Sequence, residues 1–244
     1  MSTESMQEVA APRVHLPPPF TLHRTGARDA LAEGVRLAPA EGAGTLVMHQ
    51  SPGLLSFAVV LEPETALAEA RLAFLVGMTA LGDALAAHCP PERPVRIVWP
   101  DRVVYDAGRI GGGRFAVAPG TEVDAVPDWM VFAAELIADR DNLDEPGRYP
   151  GSTSLKEEAF DPAEDIVSTF ASYLMLYFDR WKHEGFDAVG NRFLMRVDPP
   201  LLRGVRRLEG DRMVEITPSG GRRFPTIAEA LASQDWRDDR GPRL

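Results

Sequence analysis

Thiols are almost missing from this chain. Cys89 is the one cysteine in 244 residues, which excludes an intramolecular disulfide and a cysteine cluster for a metal. It lies in His88-Cys89-Pro90-Pro91 after an apolar helical run, the setting of a structural thiol rather than a nucleophile. Lysine is scarce as well: Lys156 and Lys182 are the two lysines among 26 basic residues, and the rest are arginine. That bias reflects genome composition as easily as function. Positive charge is outweighed, with a formal net charge of −10, which speaks against nucleic acid or an anionic membrane surface as a partner. The five histidines are scattered, so no metal-ligand spacing exists and no metal site is expected. No uninterrupted apolar run reaches the ~18 residues of a membrane span, and the N-terminus has no basic-then-apolar leader. A cytoplasmic protein without membrane association is the expectation.

What is present suits a folded domain. The chain is 45% hydrophobic and 25% charged, and 244 residues allow one sizeable α/β domain or one domain with an appendage. Residues 1–15 are polar and aperiodic and are expected to be disordered; Leu16-Pro17-Pro18-Pro19-Phe20 is an extended lead-in. Arg28 to Leu37 fits a short amphipathic helix, followed by a loop over Pro39 to Gly44. Thr45 to Met48 and Leu54 to Leu61 read as strands of a hairpin, and Pro63 to His88 as a long helix with small residues on its packing face. Arg114 to Val117 and Trp129 to Leu136 are further strands, and Ala138 to Gly151 is a surface loop. Asp161-Pro162-Ala163-Glu164 opens a second long helix, with Asp161 as its cap, and Gly185 ends it. From Phe193 the character changes. Leu201 to Leu208, Arg212 to Thr217 and Arg222 to Phe224 form a small β-meander, Ile227 to Leu231 adds a helical turn, and the last eight residues read as frayed.

The rest is organised around Val95 to Gly113, VRIVWPDRVVYDAGRIGGG. One strand ends at Trp99-Pro100, a second covers Arg102 to Tyr105, and a turn leads to a cation, Arg109, beside Gly111, Gly112 and Gly113. Glycines next to a cation let backbone N–H groups and positive charge approach an anion closely. The same residues also fit a hairpin with a flexible tip. Trp99 alone suits a core aromatic, and Asp101 alone suits a turn cap. His49, His88 and His183 read as surface or loop residues.

Several words of the sequence, in order, resemble the biotin/lipoate protein ligase family over roughly Pro19 to Asp198. Val98-Trp99-Pro100-Asp101-Arg102 is similar to the family's Lys-Trp-Pro-Asn-Asp. Arg109-Ile110-Gly111-Gly112 falls in register with its Lys-Val-Gly-Gly signature. Thr153-Ser154-Leu155 matches the Thr-Ser-Leu before the last catalytic helix, and Phe178-Asp179-Arg180-Trp181 with Glu184-Gly185-Phe186 matches that helix's end. The resemblance implies an α+β fold: a mixed, largely antiparallel sheet with packed helices, as in class II synthetases, over residues 16–198; the strand and turn pattern adds a small β-rich domain over 199–244.

It also implies chemistry. A carboxylate such as biotin or lipoate attacks the α-phosphate of ATP with Mg²⁺, and a lysine of an acceptor protein domain then takes the acyl group. By resemblance Arg109 is the catalytic cation bridging carboxylate and phosphate. Thr25, Gln50, Trp99, Asp101, Gly111, Gly112 and Ser154 line the cofactor site, and a homodimer is allowed for. The departures are specific. The family's Gly-Arg-Gly-Arg-Arg-Gly loop should follow Gln50, but the chain runs straight into Ser51-Pro52-Gly53. The signature lysine is Arg109, a wider planar cation, so the swap is not conservative. The Asn-Asp pair reads Asp101-Arg102, and Trp129 to Ala138 lacks the glycines of the family's Gly-Ile-Gly-Ile-Asn strand. These departures leave a second reading open: a non-catalytic relative that binds a small acid, a nucleotide or an acceptor domain.

Overall fold

A computed structural model describes residues 13–244, so most of the expected disordered N-terminus lies outside the described residues. In chain order the elements are β1 (Thr21–Arg24), α1 (Ala30–Glu41), β2 (Thr45–Ser51), β3 (Leu54–Leu61), α2 (Leu67–Ala70) and α3 (Ala73–Ala87). There follow β4 (Val95–Val98), β5 (Arg102–Tyr105), β6 (Gly108–Val117), β7 (Met130–Ile137), α4 (Ala163–Glu184) and α5 (Phe186–Arg196). The last part holds β8 (Val205–Glu209), β9 (Arg212–Thr217), β10 (Gly220–Thr226), α6 (Ile227–Leu231), β11 (Arg237–Asp238) and β12 (Gly241–Pro242).

Seven strands form one sheet in the order β1-β2-β3-β7-β6-β5-β4. Only β1 and β2 pair in parallel; the other pairs are antiparallel. The expected mixed, largely antiparallel sheet with packed helices is therefore what the chain adopts. Alternation along the strands divides the side chains between two faces. One face carries Leu46, Leu55, Phe57, Phe132 and Ala134 and packs on α3, α4 and α5. The other carries Val47, Ala58, Val60, Val131 and Ala133 and packs on α1.

Several local expectations need correction. The helix α1 does not stop at Pro39 but includes it. A proline in the last turn forfeits a single backbone hydrogen bond, and the Gly42 N–H closes the turn onto Ala38 O at 3.2 Å. Asp161 does not cap α4. Its carboxylate meets His88 Nδ1 at 2.9 Å, while His88 Nε2 meets Thr169 Oγ1 at 2.7 Å, so His88 ties two segments together. The segment Phe186–Arg196, not assigned from sequence, is a helix. The stretch Leu67–Ala87 is long and apolar enough to cross a membrane by composition, yet 83% of that window is buried inside the fold. A helix apolar all round is a core helix here, because both sheet and helices cover it. Its Asp83 is fixed by Arg192, Arg196 and Tyr177, which knots α3, α4 and α5 together.

The C-terminal residues build a separate three-stranded sheet, β10-β9-β8. The helix α6 that follows has a capping box: Thr226 Oγ1 accepts from Glu229 N, and Glu229 Oε2 accepts from Thr226 N. Beyond it the chain is not frayed. Residues 234–243 return to the seven-stranded sheet, and β11 and β12 form a small hairpin there.

Candidate functional site

The three glycines sit inside a strand, not at a flexible tip. In β6, Gly111 pairs with Leu136, Gly112 with Glu135 and Gly113 with Ala134. The reason for glycine is close approach on both faces. A Cβ at Gly113 would stand 2.3 Å from Met78 Sδ on the α3 side. A Cβ at Gly112 would stand 2.4 Å from Asp101 O and 2.7 Å from Trp236 Cε2 on the other side. Glycine there lets an aromatic ring lie directly on the backbone.

Directly paired residues share a face, so the registers draw one row across the sheet: His49, Ser56, Glu135, Gly112 and Arg102. This polar lane is almost sealed. His49 is 7%, Ser56 0% and Glu135 3% exposed. Buried polar groups must be paired, and these are. His49 Nε2 meets Ser51 Oγ at 3.0 Å, and its Nδ1 meets Thr25 O at 3.3 Å. Ser56 Oγ accepts from Ala30 N at 3.3 Å. Glu135 accepts from Arg114 and, at 2.9 Å, from Arg237 Nε. Arg114 also donates to Asp29 at 2.8 Å. Burial pushes the Asp29 carboxyl up, but the hydrogen bonds from Arg114 and from Ala32 N outweigh it and hold it below the usual range. Burial lowers the Arg114 guanidinium less than Asp29 and Glu135 raise it.

At the other end of the lane lies Asp101. Its carbonyl accepts from Gly113 N at 2.7 Å, and its carboxylate accepts from Trp236 Nε1 at 2.8 Å and from Gln234 Nε2. Burial raises its pKa above the ordinary carboxylate value, and the two donors only partly offset that. Arg109 is held on its backbone by Ser152 and Thr153: Thr153 N donates to Arg109 O at 2.9 Å. Its guanidinium donates from Nε (3.1 Å) and Nη2 (2.8 Å) to Arg243 O. Burial lowers its pKa, and Arg102 and Arg243 push the same way. A partly desolvated cation beside other cations is a ready acceptor of an anion.

The sequence-predicted residues divide accordingly. Arg109, Asp101, Gly112 and Thr25 border the lane or its ends, and Gly111 lies in the same strand. Gln50 does not: it pairs with Leu55, so alternation turns it to the α3–α4 side, and it is exposed. Trp99 does not either. Its Nε1 donates to Pro225 O at 3.0 Å and its ring meets Phe193 edge-on, so it joins α5 to the C-terminal sheet. Ser154 is fully buried and exchanges hydrogen bonds with Glu157, capping a turn. Glu135, Ser56, His49 and Trp236 were not identified from sequence. For two of them a signal existed: Ser56 and Glu135 are the lone polar residues inside LLSFAVVL and MVFAAELI. Among the described residues no group of three or more His, Cys, Asp or Glu side chains could hold a metal.

Comparison with known proteins places this architecture. Residues 16–195 match the model of the biotin/lipoate A/B protein ligase family. The chain is 31% identical over 163 residues to a biotin–[acetyl-CoA-carboxylase] ligase of Paracoccus denitrificans, covering 63% of this chain and 59% of that relative. Among solved structures it is similar to a biotin protein ligase-like protein of unknown function from Silicibacter sp. TM1040, with TM-score 0.70 and 22% identity over 87% of this chain and 96% of the other. It is also similar to the biotin protein ligase of Aquifex aeolicus in complex with biotin and ATP, with TM-score 0.60 and 15% identity over 83% and 94% of the two chains. At these identities the solved structures speak to the fold, while the match over residues 16–195 speaks to descent. The chain belongs to the biotin/lipoate A/B protein ligase family.

Proposed function

We propose that the protein activates a small carboxylic acid of the biotin or lipoate kind with ATP and transfers it to a lysine of an acceptor protein domain. The observation that supports this most is Arg109. It stands at the end of a glycine strand with its guanidinium turned to a single oxygen, and positive charge is what a carboxylate meeting a phosphate needs. In the first step a carboxylate oxygen attacks the α-phosphorus, the bond to the β-phosphate oxygen breaks, and pyrophosphate leaves. In the second the lysine amine attacks the acyl carbon, the carbon–oxygen bond breaks, AMP leaves, and the amine proton passes to solvent. Arg109 offsets the charge of the approaching anions, the Gly112 backbone admits the acid closely, and the buried lane excludes water. The described residues offer no cluster of their own for Mg²⁺, so Mg²⁺ would enter on the phosphates of ATP.

One feature favours the second reading, a binding protein without catalysis. Strands β2 and β3 are joined by a tight turn, with Ser51 paired to Leu54, where the family resemblance calls for an arginine-rich loop over the adenylate. Incubation with ATP, Mg²⁺ and biotin or lipoate decides between them. Pyrophosphate release and an acyl-adenylate are expected; their absence with both acids overturns the ligase reading. Calorimetric heat with an acid but no turnover would then identify a binder.

A further inference from the structure

We propose that the C-terminal strap, Gln234 to Arg243, is an intramolecular plug that occupies the acid lane and must swing out before the lane can take a ligand. The inference rests on the acid-binding reading above and adds a regulatory element to it.

The strap supplies donors to the lane's two carboxylates and an oxygen to its cation, the place an acid's own oxygen would take. Trp236, 1% exposed, lies against the Gly112 backbone, leaving no layer of space between strap and strand. Its indole N–H and the Gln234 amide satisfy the Asp101 carboxylate, and Gln234 also donates to Gly113 O at 2.8 Å. Arg237 satisfies Glu135. The carbonyl of Arg243 takes both donors of the Arg109 fork. One short segment thus caps the glycine strand, the buried carboxylates and the cation of the site together.

Its attachment is that of a removable part. β11 and β12 pair with each other and not with the seven-stranded sheet. The strap is held by side chains and by carbonyls met by side chains, including Arg28 Nη2 on Arg240 O at 3.3 Å. A ladder strand would have to break a run of backbone bonds to leave; this segment does not. Trp236 and Gly241 are its buried residues, and Asp238, Asp239 and Arg240 face solvent.

The test uses the full chain and two variants, Trp236→Ala and Gln234→Ala/Arg237→Ala. The second spares the ring, so one folded variant is secured if the first is unstable. Biotin and lipoate, each with and without ATP, are titrated calorimetrically into all three proteins. Amide exchange of residues 232–244 is followed in the wild type with and without acid. Expected are at least tenfold tighter acid binding in the variants and faster strap exchange when the wild type is loaded. Equal or weaker binding in the variants, with strap amides unchanged or further protected by the acid, overturns the plug and leaves the acid site standing. No binding of either acid by any of the three overturns the acid-binding reading and the plug with it.

Discussion

The guanidinium of Arg109 donates two hydrogen bonds to the backbone carbonyl of Arg243, 134 residues further along the chain. A side chain that can fork two oxygens of an anion is thereby spent on one neutral oxygen. The expected outcome of Arg109→Ala is loss of acyl-adenylate formation by about 10²–10³-fold, the scale for removing a donor aimed at developing charge. Stability should change little, since the bond lost is to an exposed strap residue. Arg109→Lys keeps the charge without the fork and should fall between. Pyrophosphate release beside a thermal melt measures both; wild-type turnover in Arg109→Ala would refute the role.

The lane's charges should behave as a buried set. Arg114 touches both Asp29 and the nearly sealed Glu135. Arg114→Ala should cost about 3 kcal/mol, the low end for stripping one partner from a buried pair, because Arg237 still reaches Glu135. Replacing both charges, Arg114→Met with Glu135→Leu, should recover most of that stability. Urea unfolding of the single and double variants checks the pattern. A double variant as unstable as the single one would show that the charges themselves hold the lane together.

Asp83 gives a pH dependence with a defined sign. Burial raises this carboxyl, but Arg192, Tyr177 and Arg196 outweigh burial and bring it below the ordinary carboxylate value. Burial first, and then the same contact, push the Tyr177 hydroxyl up to about 12. A group depressed in the folded state stabilises above its unfolded pKa and loses that contribution as pH falls through the folded value. Asp83→Asn should therefore be less stable than wild type by a constant gap at neutral pH. That gap should close on acidification below about pH 4, the reference carboxylate range. Denaturation curves from pH 2.5 to 7 measure the gap; one that stayed open at acid pH would contradict the assignment.

Gly113 offers a packing test that bypasses chemistry. Gly113→Ala would drive a methyl toward Met78 Sδ, with Phe74 and Phe132 close behind. Overpacking of this kind costs about 1–3 kcal/mol, toward the lower figure where a flexible methionine can yield. The melting temperature reads it directly, and an unchanged value would mean that α3 is not seated on β6 as described.

The fold and part of the site were legible in the sequence, for reasons that differ by residue. Strands β2, β3 and β7 are dense in β-branched and apolar residues, and β6 with its glycines carries motif words that no other stretch repeats. The end of α4 at Gly185 follows from its φ of 85°, which glycine adopts without strain. What escaped depends on partners distant in sequence. Gln50 matched a family word, yet strand parity sends it to the opposite face from Gly112. Trp99 matched too, but a carbonyl at Pro225, 126 residues away, claims its indole. The eight residues after Trp236 are charged and carry Gly241-Pro242, so local pattern reads them as frayed. The order of this tail comes from Asp101 and Gly112, which no local pattern can supply.

The anchoring of α6 has a kinetic corollary. Thr226 and Glu229 fix the start of that helix, and Trp99 grips Pro225 just before it. Trp236 follows the helix's last turn at Ala232 by four positions. On so short a tether the Cα of a detached Trp236 stays within about 14 Å of Ala232, at an effective concentration in the millimolar range. Any free acid then competes with a rival that never diffuses away, and its apparent affinity is its intrinsic one scaled by the fraction of time the seat is empty.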